Sequence, residues 1–235
     1  DLFSMDNEIS MYLKMFPTTS NNSEIYKEPV SSGTGFAISS DGYIVTNHHV
    51  TNGAKSINVK GVNGDFSKVY SAKIILEDQK NDLSIIQINS PGFTSLGSIP
   101  YTIASRPSDV GSSVFVLGYP LRSTMGDEVK LTNGIISSKS GFQGDITSYQ
   151  ITAPVQPGNS GGPLFGENGN ILAIINAKHI DAENASYAIK SSYLLNLIDL
   201  LPTAITLQNK NSVSGKSLSE QVQILKKYVY IIEIN

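Results

Sequence analysis

The apolar positions of this chain recur with two rhythms. At the start, MDNEISMYLKMF (residues 5–16) places Ile9, Leu13 and Phe16 at helical spacing and meets Pro17, which predicts a short helix. Residues 17–30 are polar and read as a linker. From residue 31 to about 200 the rhythm changes: short runs of Val, Ile, Phe and Tyr are broken by Gly, Asn, Asp and Ser every ten or so residues. That pattern predicts an all-β fold, a sandwich or barrels. The stretch 90–111, SPGFTSLGSIPYTIASRPSDVG, is the natural crossover between two halves. Helical spacing returns in YAIKSSYLLNLIDLLP (187–202), where Leu194, Leu197, Ile198 and Leu201 share a face and Pro202 ends the run. After a polar link at 203–216, Ser217 and Glu220 form a capping-box pattern. A short helix is expected there, then a strand over Val229 to Ile234. No internal repeat of obvious period is present.

Composition narrows the classes. The chain has 235 residues, 40% of them hydrophobic, enough for one or two domains with a sizeable core. A net charge of −3 without a basic block argues against nucleic-acid binding. No apolar run approaches the ~20 residues that span a bilayer, so stable membrane insertion is not expected. Cysteine is absent, which removes disulfides and a thiol nucleophile, so stability must come from packing. The sequence starts at Asp1 rather than Met and reads as processed or trimmed, so the lack of a visible signal peptide excludes nothing.

The richest chemistry lies in QPGNSGGPLF (156–165). Ser160 stands between Gly158-Asn159 and Gly161-Gly162. Acyl transfer by serine wants its hydroxyl on a tight turn, with backbone N–H groups aimed at the developing oxyanion. Glycines permit the unusual dihedrals and the close approach of a substrate carbonyl. A serine nucleophile needs a base, and the base needs an orienting group. The chain offers only His48, His49 and His179. Two of them fall in GYIVTNHHV after a strand-like run, whereas His179 lies in the polar loop NAKHIDAENAS. For the acid, Asp82 heads the apolar run NDLSIIQI and is preferred over Asp78, which lies farther from it. The order His, Asp, Ser is the order of chymotrypsin.

The blocks GTGFAISSDGYIVTNHHV, NDLSIIQI, DVGSSVFVLGYP, LTNGIISS and ITAPVQPGNSGGPLF resemble, in order and approximate spacing, those of trypsin-like serine endopeptidases, and within them the bacterial HtrA/Deg group. The resemblance covers residues 31–200. It implies two six-stranded antiparallel β-barrels with the site in the cleft between them, flanked by short N-terminal and C-terminal helices. The implied partition is 1–30 helix and linker, 31–106 first barrel, 107–202 second barrel with its closing helix, and 203–235 tail. It makes His49, the histidine before Val50, the base, Asp82 the acid and Ser160 the nucleophile. His48 is then a solvated loop residue. Backbone N–H groups at Gly158 and Ser160, helped by Asn159, form the implied oxyanion hole.

The resemblance also implies a P1 pocket with its floor six residues before Ser160, at Pro154, and walls at Ile175 and Ala188-Ile189. No carboxylate stands there to hold Lys or Arg, so small aliphatic P1 residues are expected. The implied reaction needs no metal and no organic cofactor. Polypeptides are the implied substrates, in a bacterial envelope (periplasm) or secreted setting, and a homo-oligomer stays open. HtrA proteins usually carry PDZ domains after the protease. The roughly 30 residues after 203 are too few for one, so this chain is expected to lack that module. The competing reading is a latent or inactive relative that binds polypeptides as a chaperone-like module.

Overall fold

The computed structural model describes residues 31–177 and 185–235. The helix expected over 5–16 and the residue His179 therefore lie outside the described residues.

Twelve strands build the described part of the chain. β1 (Ser31–Ala37), β2 (Tyr43–Thr46), β3 (Ile57–Val62), β4 (Asp65–Asp78) and β5 (Leu83–Ile88) come from the first half. β6 (Ser113–Gly118), β7 (Lys130–Ser138), β8 (Ser148–Ile151), β9 (Pro163–Gly166), β10 (Ile171–Asn176) and β11 (Ser186–Lys190) come from the second, and β12 (Val229–Ile234) ends the chain. The short helices are α1 (His48–Thr51), α2 (Arg122–Met125), α3 (Ser191–Ile198) and α4 (Leu218–Leu225). The strands close into two six-stranded antiparallel barrels, in the orders β1-β12-β3-β4-β5-β2 and β10-β11-β8-β7-β6-β9.

Period-2 alternation sorts the side chains. In β6, Val114 and Val116 fill the second barrel with Ile151, Leu164, Ala173 and Ile175. Phe115 and Leu117 face the other way, into an apolar body that also holds the first barrel's Phe36, Ile44, Ile85 and Ile232. One continuous core thus joins the barrels and fixes the cleft between them.

Two elements depart from the sequence expectation. The first barrel takes its sixth strand from the tail: β12 pairs with β1 from Ser31↔Ile234 to Phe36↔Val229, and with β3 from Ile57↔Ile234 to Lys60↔Ile231. All six β12 residues are buried, which explains the run VYIIEI. The helix expected from 187 starts at Ser191 instead. Residues 187–190 are strand, because Tyr187–Lys190 pair with β10 and Tyr187–Ile189 also pair with β8. The capping box at Ser217–Glu220 forms as expected at the start of α4. No described helix is long and apolar enough to cross a membrane.

Candidate active site

The loop after β2 turns into α1 and carries both adjacent histidines. Asn47 caps this helix with extended backbone, and its side chain donates to the Asp82 carbonyl at 2.9 Å. The His48 amide donates to the same carbonyl at 3.2 Å. These bonds hold Asp82 in the left-handed region at φ 55, a conformation that Asp tolerates better than most residues. In that pose the Asp82 carboxylate reaches His49 twice. Oδ1 accepts from the His49 amide at 2.9 Å, and Oδ2 lies 2.7 Å from His49 Nδ1. With its proton on Nδ1, the ring presents the Nε2 lone pair on its far side. Asn176, the last residue of β10, adds a third bond from Nδ2 to Asp82 Oδ2 at 3.2 Å.

His48 points elsewhere. Its Nδ1 lies 3.2 Å from Glu77 Oε1, with 14% of the side chain exposed, and the same oxygen accepts from Thr51 Oγ1. The expectation of a solvated His48 is therefore corrected: Glu77 on β4 reaches over the start of α1 and holds it. Asp78 accepts from the Asn81 amide at 3.0 Å and closes the turn that leads to Asp82.

Ser160 is pinned against the same region. Its carbonyl accepts from the Thr34 amide at 2.9 Å. The next residue, Gly161, has φ 83 and donates to the Ile175 carbonyl at 2.9 Å. A Cβ at Gly161 would collide with Thr46 Oγ1, the Thr34 carbonyl and the Asn47 amide, so the turn lies flat on the segment that opens α1. Among the described hydrogen bonds, Asp82 holds His49 and none joins His49 to Ser160. Such bonds are often long in a free enzyme and tighten on binding.

The turn before Ser160 is held by its carbonyls. The Pro157 carbonyl accepts from Leu121 N at 2.9 Å, and the Asn159 carbonyl from Gly162 N at 2.9 Å. A trans peptide points its N–H opposite to its C=O. The Gly158 and Ser160 amides therefore face away from those anchors, and neither meets an acceptor among the described residues. The Gly158 carbonyl accepts from Thr34 Oγ1 at 2.6 Å, and the Asn159 amide donates to Gln156 O at 3.0 Å. Two unspent N–H groups beside a serine can stabilise an oxyanion.

The residues expected to line a pocket separate into two groups. Ile175 and Ala188 are direct cross-strand partners, both fully buried, on the face that holds Val155. Pro154 is exposed, and its carbonyl accepts from Thr132 Oγ1 at 2.8 Å. Ile189 lies on the opposite sheet face from Ala188, with its partner Ile174 in the apolar body shared by the barrels, because neighbouring residues in a strand alternate sides. Of the expected wall residues, Ile189 is thus set apart from Ile175 and Ala188. Among the described residues, no group of three or more His, Asp or Glu is placed to hold a metal ion.

Thr34 and Asn176 belong to no motif legible in the sequence. Thr34 sits between the glycines of GTGF, and Asn176 ends the apolar run ILAIIN. A lone polar residue closing an apolar strand was the available signal.

Known proteins resemble this chain. The family described as "Trypsin-like peptidase domain" matches residues 33–174. A probable periplasmic serine endoprotease DegP-like of Chlamydia trachomatis is 36% identical over 148 residues, covering 60% of this chain and 27% of that protein. The serine protease Do-like HtrA of Bacillus subtilis is 29% identical over 233 residues, covering 91% of this chain and 48% of that protein. This chain thus spans less than half of either relative. Among solved structures, the HtrA-type protease AlgW with a decapeptide is similar at a TM-score of 0.58 and 27% identity, covering 69% of this chain and 49% of that one. A serine-to-alanine mutant of Rv3671c from M. tuberculosis H37Rv, in its inactive form, is similar at 0.57 and 26% identity, covering 81% of this chain and 99% of that one.

Proposed function

Because the chain belongs to the trypsin-like peptidase family, we propose that it is an HtrA/Deg-type serine endopeptidase that hydrolyses peptide bonds through an acyl-enzyme on Ser160. The observation that carries this reading is the double grip of Asp82 on His49, at the amide and at Nδ1, beside the rigid Ser160 turn.

His49 Nε2 takes the hydroxyl proton as Ser160 Oγ attacks the scissile carbonyl. Asp82 keeps the imidazole in the required tautomer and stabilises the imidazolium. The amides of Gly158 and Ser160 receive the oxyanion, and one such donor is worth about 3 kcal/mol of barrier. His49 then gives its proton to the leaving amine as the C–N bond breaks. Water enters by the same route in reverse, releases the acid and restores Ser160. Asn176 supports Asp82 from the second barrel, which makes the alignment of His49 depend on both barrels. The substrates are unfolded polypeptides, and the setting is a bacterial envelope or the exterior; a relative is named periplasmic.

A fluorophosphonate probe and turnover of unfolded casein test the proposal together. Wild type is expected to label and to cleave. Ser160→Ala is expected to fold, to lose the label and to cleave nothing. Cleavage by Ser160→Ala near the wild-type rate refutes the assignment. A folded wild type that binds casein but neither labels nor cleaves supports the chaperone-like reading instead.

A further inference from the structure

We propose that Glu233 on the C-terminal strand is a positioning residue for the oxyanion hole, acting through Arg122 on the segment that holds the Gly158 peptide. This rests on the endopeptidase reading above.

The path is continuous. Glu233 is buried on β12, with 8% of its side chain exposed. Its carboxylate takes Arg122 Nη1 at 2.7 Å and Lys60 Nζ at 3.0 Å. Arg122 also gives Nε to Asp127 Oδ1 at 2.7 Å. Burial works against the Arg122 charge, but its hydrogen bonds to Asp127 and Glu233 outweigh that and raise its pKa. The guanidinium therefore stays charged and is held at two edges, by carboxylates from different parts of the fold.

Arg122 follows Leu121, a non-glycine residue in the left-handed region at φ 42. Such a conformation persists only where its surroundings over-determine it. Leu121 uses both backbone groups: its carbonyl accepts from Thr124 N and Met125 N at 2.8 Å, and its amide donates to the Pro157 carbonyl at 2.9 Å. That last bond sets the plane of the Pro157–Gly158 peptide and so the direction of the Gly158 N–H. Behind Gly158 there is no slack. A Cβ there would lie 2.5 Å from the Tyr119 carbonyl and 3.2 Å from Leu121 N.

Glu233 and Arg122 are largely covered, whereas Asp127 stands at the surface. Lys60, Arg122, Asp127 and Glu233 line one cavity of about 480 Å³ with Pro157 and Gly158. Lys60 and Glu233 belong to the first barrel, whereas Arg122 and Asp127 belong to the second. The chain's last strand thus reaches across the cleft to the turn that prepares the oxyanion site. Removing Glu233 frees one edge of Arg122, lets Leu121 relax toward commoner dihedrals and unfastens the Pro157 carbonyl.

The test uses Glu233→Gln, Arg122→Lys and the double variant, each checked for folding by near-ultraviolet circular dichroism. Lysine cannot serve Asp127 and Glu233 in the planar fork that arginine offers. Each single variant is expected to lose about tenfold to hundredfold in kcat, within what loss of one oxyanion donor costs, with KM changed less than threefold. Affinity for a peptide aldehyde, which needs the oxyanion hole, is expected to fall by the same factor. The double variant is expected to resemble the worse single, because both break one path. Either folded single variant with wild-type kcat and aldehyde affinity overturns the inference, as does a loss confined to KM. If Glu233→Gln does not fold, Arg122→Lys decides alone. A folded wild type without label or turnover fails at the endopeptidase reading itself and takes this inference with it.

Discussion

Replacing Thr34 by valine deletes one hydroxyl that serves both barrels. Thr34 lies on β1 with no exposed surface. Its Oγ1 donates to the Gly158 carbonyl at 2.6 Å and accepts from the Tyr119 amide at 3.1 Å. Valine keeps the shape and makes neither bond. A buried polar group left unpaired costs about 1–3 kcal/mol, so two such groups cost about 2–6 kcal/mol, less what relaxation recovers. In a chain of this size each kcal/mol moves the unfolding midpoint by about 2–4 °C. A drop of about 4–24 °C, less what relaxation recovers, is therefore expected on that scale. The kinetic effect is separate. Gly158 loses one of its tethers while the Pro157 carbonyl keeps its bond to Leu121, so kcat falls by about tenfold to hundredfold, short of the full loss of an oxyanion donor. The assay is kcat and KM on a peptide substrate, well below the variant's midpoint, with Thr34→Ser as the control that restores the hydroxyl. A folded Thr34→Val enzyme with kcat within twofold of wild type would falsify the reasoning.

Three further outcomes are expected. His49→Ala is inactive toward casein, whereas His48→Ala keeps most activity because its ring serves Glu77 and not Asp82; the reverse result means that the histidine register is off by one. A peptide library shows cleavage after Val, Ala, Ile or Leu, since Pro154, Ile175 and Ala188 offer no charge; dominant cleavage after Arg, Lys or Glu refutes the apolar pocket. Activity needs no free amine at a defined residue, because the position before Ser160 is the uncharged Asn159, and a buried ammonium without a carboxylate costs several kcal/mol. Chains extended at the N-terminus or trimmed to residue 28 are expected to turn over alike, and an obligatory terminus contradicts this.

Much of the site was legible because its parts are local. The glycines around Ser160 announce a turn, and the histidines and Asp82 each sit at an apolar strand's edge. The strand rhythm was sufficient for an all-β expectation, a sandwich or barrels, and the two six-stranded barrels were implied by the resemblance to trypsin-like endopeptidases. The side on which a residue points was less legible. Ile175 and Ala188 share a face while Ile189 leaves it, which follows from strand alternation only once the strand's start at Ser186 is known. The helical spacing of 187–202 hid that start, since an apolar run such as YAI fits either period.

The amino-acid order alone supplies the candidate groups, their sequence along the chain and most of the elements that carry them. Which distant pieces meet depends on the folded barrels. The run VYIIEI declares a buried strand, but nothing in it names β1 and β3 as partners, because a period of two specifies faces and not neighbours. Thr34 and Gly158 lie 124 positions apart, Asp82 and Asn176 lie 94 apart, and Arg122 and Glu233 lie 111 apart. Hydrogen bonds act over about 3 Å, so these pairs exist only after the barrels have closed and docked.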